Sequence, residues 1–188
     1  MALRTILTAP DPRLKKKSKP VDSVDDGVRQ LMDDMLETMC AAPGIGLAAP
    51  QVGELQRVIV LDIDREDTKT GPLCMANPEI VAASDEDATY EEGCLSLPEH
   101  YSDVVRPAKV TVRYLDRDGR KQEMACEGLL ATCVQHEIDH LDGILFVDHI
   151  SALKRNMILR KLLKTRKEAE RDAAEGKADK AKDSAPAL

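Results

Sequence analysis

The segment His136-Glu137-Ile138-Asp139-His140 constrains this chain more than any other. Residues four apart lie on one face of an α-helix, so His136 and His140 can present two imidazoles to one metal ion. Glu137 is one position further round, close enough to take a proton from water at such a site. The pattern therefore predicts a helix that carries a metal centre and its own base. Two unremarkable helical histidines are the competing interpretation.

The residues around this motif favour a buried site. Leu129, Cys133, His136 and His140 follow a 4-3-4 spacing, which is one stripe of a helix. The stripe runs from apolar to metal-binding side chains, so it would set an apolar wall beside the ion. Gly143 is expected to end the helix.

Two histidines need a third ligand, and the candidates downstream fit poorly. In the extended motif of zinc peptidases Phe146 takes the place of the third histidine, and His149 comes three residues too late. Glu168 is far enough along the chain but lies in a charged segment that is typical of a surface. Cys94 is the better candidate, since its loop is flanked by glycine and mostly non-polar. Two His and one Cys leave a fourth tetrahedral position open, as a catalytic site requires. A buried, inert cysteine is the alternative.

A third segment, residues 44–51 with the sequence GIGLAAPQ, combines small residues with a terminal side-chain amide. Its glycines and alanines allow close approach of another chain or a ligand. The segment is not a dinucleotide fingerprint, because Ala49 breaks the GxGxxG spacing. Nor is it a phosphate loop, because no Gly-Lys-Ser/Thr follows. A tight turn without a binding role is the alternative.

Together the three segments resemble those of one family, the peptide deformylases. Residues 44–51, 92–96 and 135–140 look like its three signature motifs, in the same order. The resemblance extends from Pro10 to the helix after Ser151. It implies a metal-dependent hydrolase that removes the formyl group from the N-terminal formyl-methionine of newly made polypeptides and releases formate.

The resemblance also implies the roles of particular residues. Cys94, His136 and His140 would bind one divalent metal ion, and Glu137 would act as general base and then as acid. The oxyanion of the transition state would be held by the amide of Gln51 and the backbone N–H of Leu95. The family usually employs Fe2+, but a thiolate with two imidazoles also suits Zn2+, Ni2+ or Co2+.

Substrate contacts can be carried over in the same way. The resemblance implies that eight positions surround the formyl-methionine: Ile45, Gly46, Tyr90, Glu92, Gly93, Leu129, Thr132 and Cys133. Glu92 would lie next to the residues that line the methionine pocket and support them. Tyr101 stands where many bacterial relatives have an arginine that contacts the peptide backbone, so the contacts on that side are expected to differ.

Two rival functions compete with this hypothesis. An HExxH endopeptidase would cleave internal peptide bonds instead of releasing formate. A metal-bound but inactive binding protein would have no need of Glu137 or Gln51, and the presence of both argues against it.

Composition limits the setting in which the chain works. At 188 residues it suits one domain with an aliphatic and methionine-based core, since it has no Trp and one Phe. Five cysteines, an odd number, favour a reducing compartment, and no hydrophobic run reaches membrane length. We therefore expect a cytoplasmic protein without a membrane partner. The net charge of −7 argues against general nucleic-acid binding and gives no indication of a specific DNA partner.

The periodicity predicts an α+β fold with mainly antiparallel sheets around the central HExxH helix and a helix at the C-terminus. A capping box at residues 23–26 is expected to open an amphipathic helix. Residues 57–63 read as a buried strand, and Lys109–Leu115 is expected to form a hairpin through Asp118 and Gly119. Polar loops are expected at residues 64–71 and 82–88.

The C-terminal part divides in two. Ser151 can cap a helix that carries Leu and Met among Lys and Arg, and this helix either packs on the surface or contacts the ribosome. From about Arg166 large apolar residues almost disappear, which is typical of a solvated helix extension ending in a disordered tail. We expect one catalytic domain over residues 1–165 and a charged tail over residues 166–188.

Overall fold

The computed structural model describes residues 2–63 and 71–183, and in these ranges the predicted α+β fold is confirmed. Its helices are α1 (Asp26–Ala41), α2 (Gly128–Leu141) and α3 (Ala152–Asp183). Its strands are β1 (Gly46–Ala48), β2 (Val58–Leu61), β3 (Leu73–Ala83), β4 (Asp87–Cys94), β5 (Leu97–Pro107), β6 (Lys109–Leu115) and β7 (Lys121–Glu127). None of the described helices is long and apolar enough to cross a membrane.

The strands form two antiparallel sheets. Five of them associate in the order β1-β2-β3-β6-β7, and β4 pairs with β5 as a separate ribbon. The larger sheet lies between α1 and α2. On β2, Val58 and Val60 pack among the side chains of α1, whereas Ile59 and Leu61 pack among those of α2. Because side chains alternate between the faces of a strand, a strand covered on both sides is apolar throughout.

Helix α1 begins later than its sequence predicts. Its N-cap is Asp25, whose carboxylate accepts a hydrogen bond of 2.8 Å from the Val28 N–H, and the first helical residue is Asp26. The prediction of a capping box that starts at Ser23 is therefore wrong. Asp25 satisfies one of the unpaired N–H groups at the start of the helix, and its carboxylate also suits the positive end of the helix dipole.

The predicted hairpin is confirmed, and the predicted loops are only partly so. Strands β6 and β7 pair along their whole length, and Gly119 in the turn has a φ of 79°. Residues 82–88 are mostly strand, because β3 continues to Ala83 and β4 begins at Asp87. Ala83 pairs with Val110 on the neighbouring β6, and Asp87 pairs with Pro107 on β5, which extends both strands. The loop predicted at 64–71 falls almost entirely on residues 64–70, outside the described residues.

The end of α2 is fixed by a close contact with the N-terminal segment. Gly143 has a φ of 74°, and a Cβ there would lie 2.7 Å from the backbone carbonyl of Lys15. The Ser18 N–H donates to the carbonyl of Leu141, the last residue of the helix. Gly143 therefore ends the helix as predicted, and it does so where only glycine fits.

Helix α3 starts at Ala152, where the Lys154 N–H donates to Ser151 Oγ at 3.4 Å. Its Leu162 is buried in a small core that also contains Phe146. The charged segment from residue 166 belongs to this helix as far as Asp183, and residues 184–188 lie outside the described part of the chain. The boundary at residue 165 between domain and tail stays a prediction.

Candidate active site

One thiol and two imidazoles meet where β4 ends beside α2. Cys94 is the last residue of β4, and His136 and His140 lie one turn apart on α2. One potential ligand atom from each lies within 4.8 Å of the others, and Cys94 Sγ is 3.2 Å from His140 Nε2. Both histidines are buried. The sequence-predicted ligands are therefore brought together with the spacing that one metal ion requires.

The chemistry of this donor set fits a divalent transition metal. Burial holds the pKa of His140 well below its ordinary value, which keeps the imidazole in the neutral form that binds metals. A thiolate with two imidazoles is the kind of mixed soft and borderline ligand set that suits Zn2+, Fe2+, Co2+ or Ni2+.

The residues downstream of the motif that were considered as a third metal ligand make other contacts. Phe146, in the place of a third histidine, is buried, and its ring stacks on His136 at 6.5 Å between centroids. His149 Nε2 lies 2.7 Å from Asp139 Oδ2. Glu168 lies on α3 and pairs with Lys164. Among the described residues, only Cys94 reaches the two histidines as a third ligand.

A buried ion-pair network orients His136. Its Nδ1 lies 2.8 Å from Glu92 Oε2, and Arg106 contacts both oxygens of Glu92, at 2.5 and 3.0 Å. Burial favours the neutral form of Glu92, but these two partners outweigh it and lower its pKa to about 2. The ionised carboxylate therefore accepts a hydrogen bond from the Nδ1–H of His136, which leaves Nε2 as the ring nitrogen that can bind a metal.

This network extends beyond the residues that the sequence singled out. Arg106 also donates to Asp139 at 2.8 Å, and Asp139 in turn contacts His149. Both oxygens of Glu92 are hydrogen-bonded and only 5% of the residue is exposed, so Glu92 holds the His136 ring in place and is itself shielded from solvent. Sequence reasoning missed Arg106. The available signal was an arginine on an otherwise half-apolar strand, but its partner became evident only from the β4–β5 pairing.

Glu137 lies beside the cluster in a space that a glycine leaves open. Burial raises its pKa to about 7, and its Oε2 has no hydrogen-bond partner among the described residues. A Cβ at Gly46 would lie 2.3 Å from Glu137 Oε1 and 2.9 Å from Cys133 Sγ. Only glycine at position 46 therefore lets β1 approach the carboxylate. A carboxyl group that titrates near neutrality can both accept and donate a proton.

The amide of Gln51 has a fixed orientation. Its Oε1 accepts a hydrogen bond of 2.7 Å from the Ala48 N–H, so its Nε2 faces Ser96 Oγ at 3.2 Å and Cys94 Sγ at 3.5 Å. Gln51 is 1% exposed. An amide N–H is thereby held at the cluster without rearrangement, which is what a preorganised oxyanion donor requires. Leu95 lies in the turn that follows Cys94.

A cleft of about 420 Å³ opens onto these groups. It is lined by all eight positions expected around the formyl-methionine: Ile45, Gly46, Tyr90, Glu92, Gly93, Leu129, Thr132 and Cys133. Thr132 and Cys133 are buried, whereas Ile45 and Leu129 are 40% and 44% exposed. The helical stripe is thus buried from Cys133 to His140 and open to the cleft at Leu129.

The far side of the cleft was less visible in the sequence. Its lining also includes Pro98, Glu99, His100 and Tyr101, on the first half of β5. Tyr101 pairs with Gly93 across the ribbon and is 64% exposed. The hairpin that folds β5 back over β4 brings these residues to the site, and no local pattern in the sequence indicates this register.

Comparison with known proteins agrees with this geometry. The family model described as "Polypeptide deformylase" matches residues 3–156, which include the cluster, Glu137 and Gln51. The chain belongs to the polypeptide deformylase family. A peptide deformylase from Methylocella silvestris is 59% identical over 170 residues, covering 89% of this chain and 87% of the relative. One from Phenylobacterium zucineum is 57% identical, covering 90% and 100%.

Solved structures of the family have the same fold. A peptide deformylase from Ehrlichia chaffeensis in complex with actinonin has a TM-score of 0.84 at 43% identity, covering 88% of this chain and 98% of that one. One from Legionella pneumophila has a TM-score of 0.83 at 49% identity, covering 90% and 99%. The family match ends at residue 156, near the start of α3.

Proposed function

We propose that Cys94, His136, His140 and Glu137 carry out in this chain the reaction of its family. That reaction is the hydrolysis of the N-formyl group of formyl-methionyl polypeptides to formate and a free amine. The observation that carries the proposal is the position of Glu137, which is buried against the glycine of β1 and lines the same cleft as Cys94 and His136. One base beside one metal site is what hydrolysis of an unreactive formamide requires.

The metal site supplies one part of the chemistry. Cys94, His136 and His140 would hold a divalent ion, which when bound provides a Lewis acid that activates water and polarises a carbonyl oxygen. Glu92 and Arg106 keep His136 in the tautomer that such an ion needs. The physiological ion we propose is Fe2+, with Zn2+, Ni2+ and Co2+ as functional substitutes.

The protein's own groups supply the proton transfers and the oxyanion contacts. Glu137 takes a proton from the attacking water and returns it to the amine nitrogen as the C–N bond breaks. Gln51 Nε2 and the Leu95 N–H donate to the oxygen of the formyl group as it gains negative charge. Each donor of this kind contributes on the order of 3 kcal/mol to the transition state.

The cleft supplies the binding site for the substrate. The methionine side chain would lie against Ile45, Leu129 and Cys133, with Tyr90 and Thr132 completing the wall. Gly46 and Gly93 would present backbone atoms to the peptide, since the space that a side chain would need at these positions is taken by Glu137 and by Tyr101. Actinonin, which is bound in the Ehrlichia chaffeensis structure, is expected to occupy the same cleft.

The test of this function is the product released from a formylated peptide. With formyl-Met-Ala-Ser, formate and intact Met-Ala-Ser should appear in equal amounts. An HExxH endopeptidase would release shorter peptides and no formate, and an inactive binding protein would release nothing. Either of those results would overturn the proposal.

If the site holds iron, the activity of the protein should be sensitive to oxidation. Protein loaded with Fe2+ under anaerobic conditions should lose activity within hours of exposure to air or peroxide, because both the iron and the Cys94 thiolate can be oxidised. The zinc form should be protected, since Zn2+ has no redox chemistry, and nickel or cobalt should protect as well. Residual activity against time in air, measured for each metal form, checks this. An iron form as durable as the zinc form would contradict it.

The basic face of α3 supports a proposal about where the enzyme works. Between Ala152 and Glu168 the helix carries seven Lys or Arg and one Glu, although the whole chain has a net charge of −7. Leu162 attaches the helix to the core, while Arg160 and Lys161 are exposed. A cationic helix held on an acidic protein is suited to a polyanionic partner, and the nascent formylated substrate points to the ribosome.

Neutralising this face should separate recruitment from catalysis. Replacing Arg155, Arg160 and Lys161 by Gln is expected to weaken ribosome co-sedimentation several-fold at low salt, where exposed charges are least screened, and to leave formyl-Met-Ala-Ser turnover unchanged. The matched control replaces three exposed cations of the β6–β7 hairpin: Lys109, Arg113 and Lys121. Equal co-sedimentation of the two triple variants would show that α3 has no part in ribosome binding.

Removing residues from 166 onward should also spare short-peptide turnover, in keeping with a catalytic domain over residues 1–165.

A further inference from the structure

A second, shallower groove adjoins the active-site cleft. It has a volume of about 300 Å³ and lies between the β4–β5 ribbon and the beginning of α3. The ribbon contributes Glu91, Tyr101 and Asp103, and the helix contributes Lys154, Met157 and Ile158. None of these side chains belongs to the metal cluster or to its supporting ion pairs.

The cleft and the groove form one continuous surface. Glu91 and Tyr101 line both of them. Tyr101 pairs with Gly93, and Glu91 pairs with Asp103, so all four lie on the same face of the ribbon. A Cβ at Gly93 would lie 2.4 Å from Tyr101 Cε1. The tyrosine ring therefore lies across β4 and joins the two depressions.

The groove exposes apolar side chains that the core does not use. Tyr101 is 64% exposed and Met157 is 63% exposed, whereas Ile158 and Leu162 pack α3 onto the protein. The neighbouring Lys154, Glu91 and Asp103 give the groove a charged rim. An apolar floor with a polar rim, open at one end to a substrate cleft, is suited to an extended peptide of mixed composition.

We propose that this groove binds the fourth and later residues of the formylated polypeptide, with an apolar side chain against Tyr101 and Met157. The proposal rests on the proposed function, which sets the formyl group beside Cys94. Glu91 precedes Cys94 by three residues on β4, which is about 10 Å at roughly 3.3 Å per residue. An extended peptide that starts at Cys94 also needs about three residues for this distance. The fourth residue is therefore the first to reach the groove.

The proposal predicts that longer substrates bind more tightly. The KM of formyl-Met-Ala-Ser-Leu-Ala-Ser should be about tenfold lower than that of formyl-Met-Ala-Ser, the effect of burying most of one apolar side chain. Their kcat values should be similar, because a contact remote from the reacting bond binds the ground state and the transition state alike. Steady-state kinetics of both peptides with the full-length chain measures this.

Variants of α3 locate the effect. Met157→Asp should raise the KM of the hexapeptide to that of the tripeptide and leave the tripeptide unchanged. The matched control is Leu163→Asp, which changes an apolar residue on the same helix outside the groove that is 42% exposed. This control should keep the tenfold preference. Circular dichroism of each variant establishes that α3 remains helical.

Three results would overturn the proposal. They are equal KM values for the two peptides in the unaltered chain, an equal loss of preference in both variants, and a change of oligomeric state in Met157→Asp with the preference intact. The last would mean that a second copy of the chain covers the groove. Each leaves tripeptide hydrolysis in place, so it counts against the groove alone, whereas absence of tripeptide hydrolysis in the unaltered chain would count against the proposed function.

Discussion

Replacing Glu137 by Gln is expected to lower kcat for formyl-Met-Ala-Ser by about 100- to 10,000-fold, the range that general acid–base catalysis contributes. Gln keeps the shape of the side chain in the space beside Gly46 but cannot take up or return a proton. The metal content should not change, because Cys94, His136 and His140 remain. Formate release and metal analysis on the same preparation check both statements.

An exposed carboxylate outside the cleft provides the control for this variant. Glu86, between β3 and β4, is exposed and lines neither the cleft nor the metal cluster, so Glu86→Gln makes the same chemical change away from the site. Its kcat for the tripeptide should stay within a few-fold of that of the unaltered chain. Near-normal turnover in Glu137→Gln protein would remove the assigned base and direct attention to another group in the cleft.

Replacing Cys94 by Ser is expected to abolish stoichiometric metal binding, and with it nearly all activity. A hydroxyl is a poor substitute for a thiolate toward a borderline-soft ion. Loss of one of three protein ligands should exceed the roughly 10- to 100-fold loss of affinity that follows from removing a hydrogen bond that supports a ligand. Metal analysis after gel filtration, with added Zn2+ or Fe2+, gives the stoichiometry.

Cys126 offers the matched control for this change. It is buried in the core beneath α2, away from the metal cluster, so Cys126→Ser should cost some stability but keep a full complement of metal. Full metal content in Cys94→Ser protein would contradict the ligand assignment. His149 would then be the next histidine to test, although in the structure it pairs with Asp139.

The metal-binding helix could be predicted because its information is local. His136, Glu137 and His140 lie within one and a half turns of α2, and the helical period alone fixes which of them share a face. Cys94 was less certain from the residues themselves, since its approach to the helix depends on the end of a strand. The family resemblance supplied that connection, and the structure brings the sulfur to 3.2 Å from His140 Nε2.

What the sequence left open depends on contacts between distant segments. Arg106 is 14 residues from Glu92, and the two meet because β5 folds back on β4. Tyr101 faces the cleft because of the same register. The N-cap of α1 at Asp25 instead of Ser23 is a local error of the prediction. Both side chains can accept a hydrogen bond from the first turn of a helix, and only the geometry decides between them.

The most direct test of the account is the dependence of formate release on bound metal. Protein stripped with a chelator and titrated anaerobically with Fe2+ should release formate from formyl-Met-Ala-Ser in proportion to the metal bound, up to one ion per chain. In Cys94→Ser protein the same titration should give no saturable rise. Formate release by the stripped protein, or a rise that continues beyond one ion per chain, would contradict a single catalytic site at Cys94, His136 and His140.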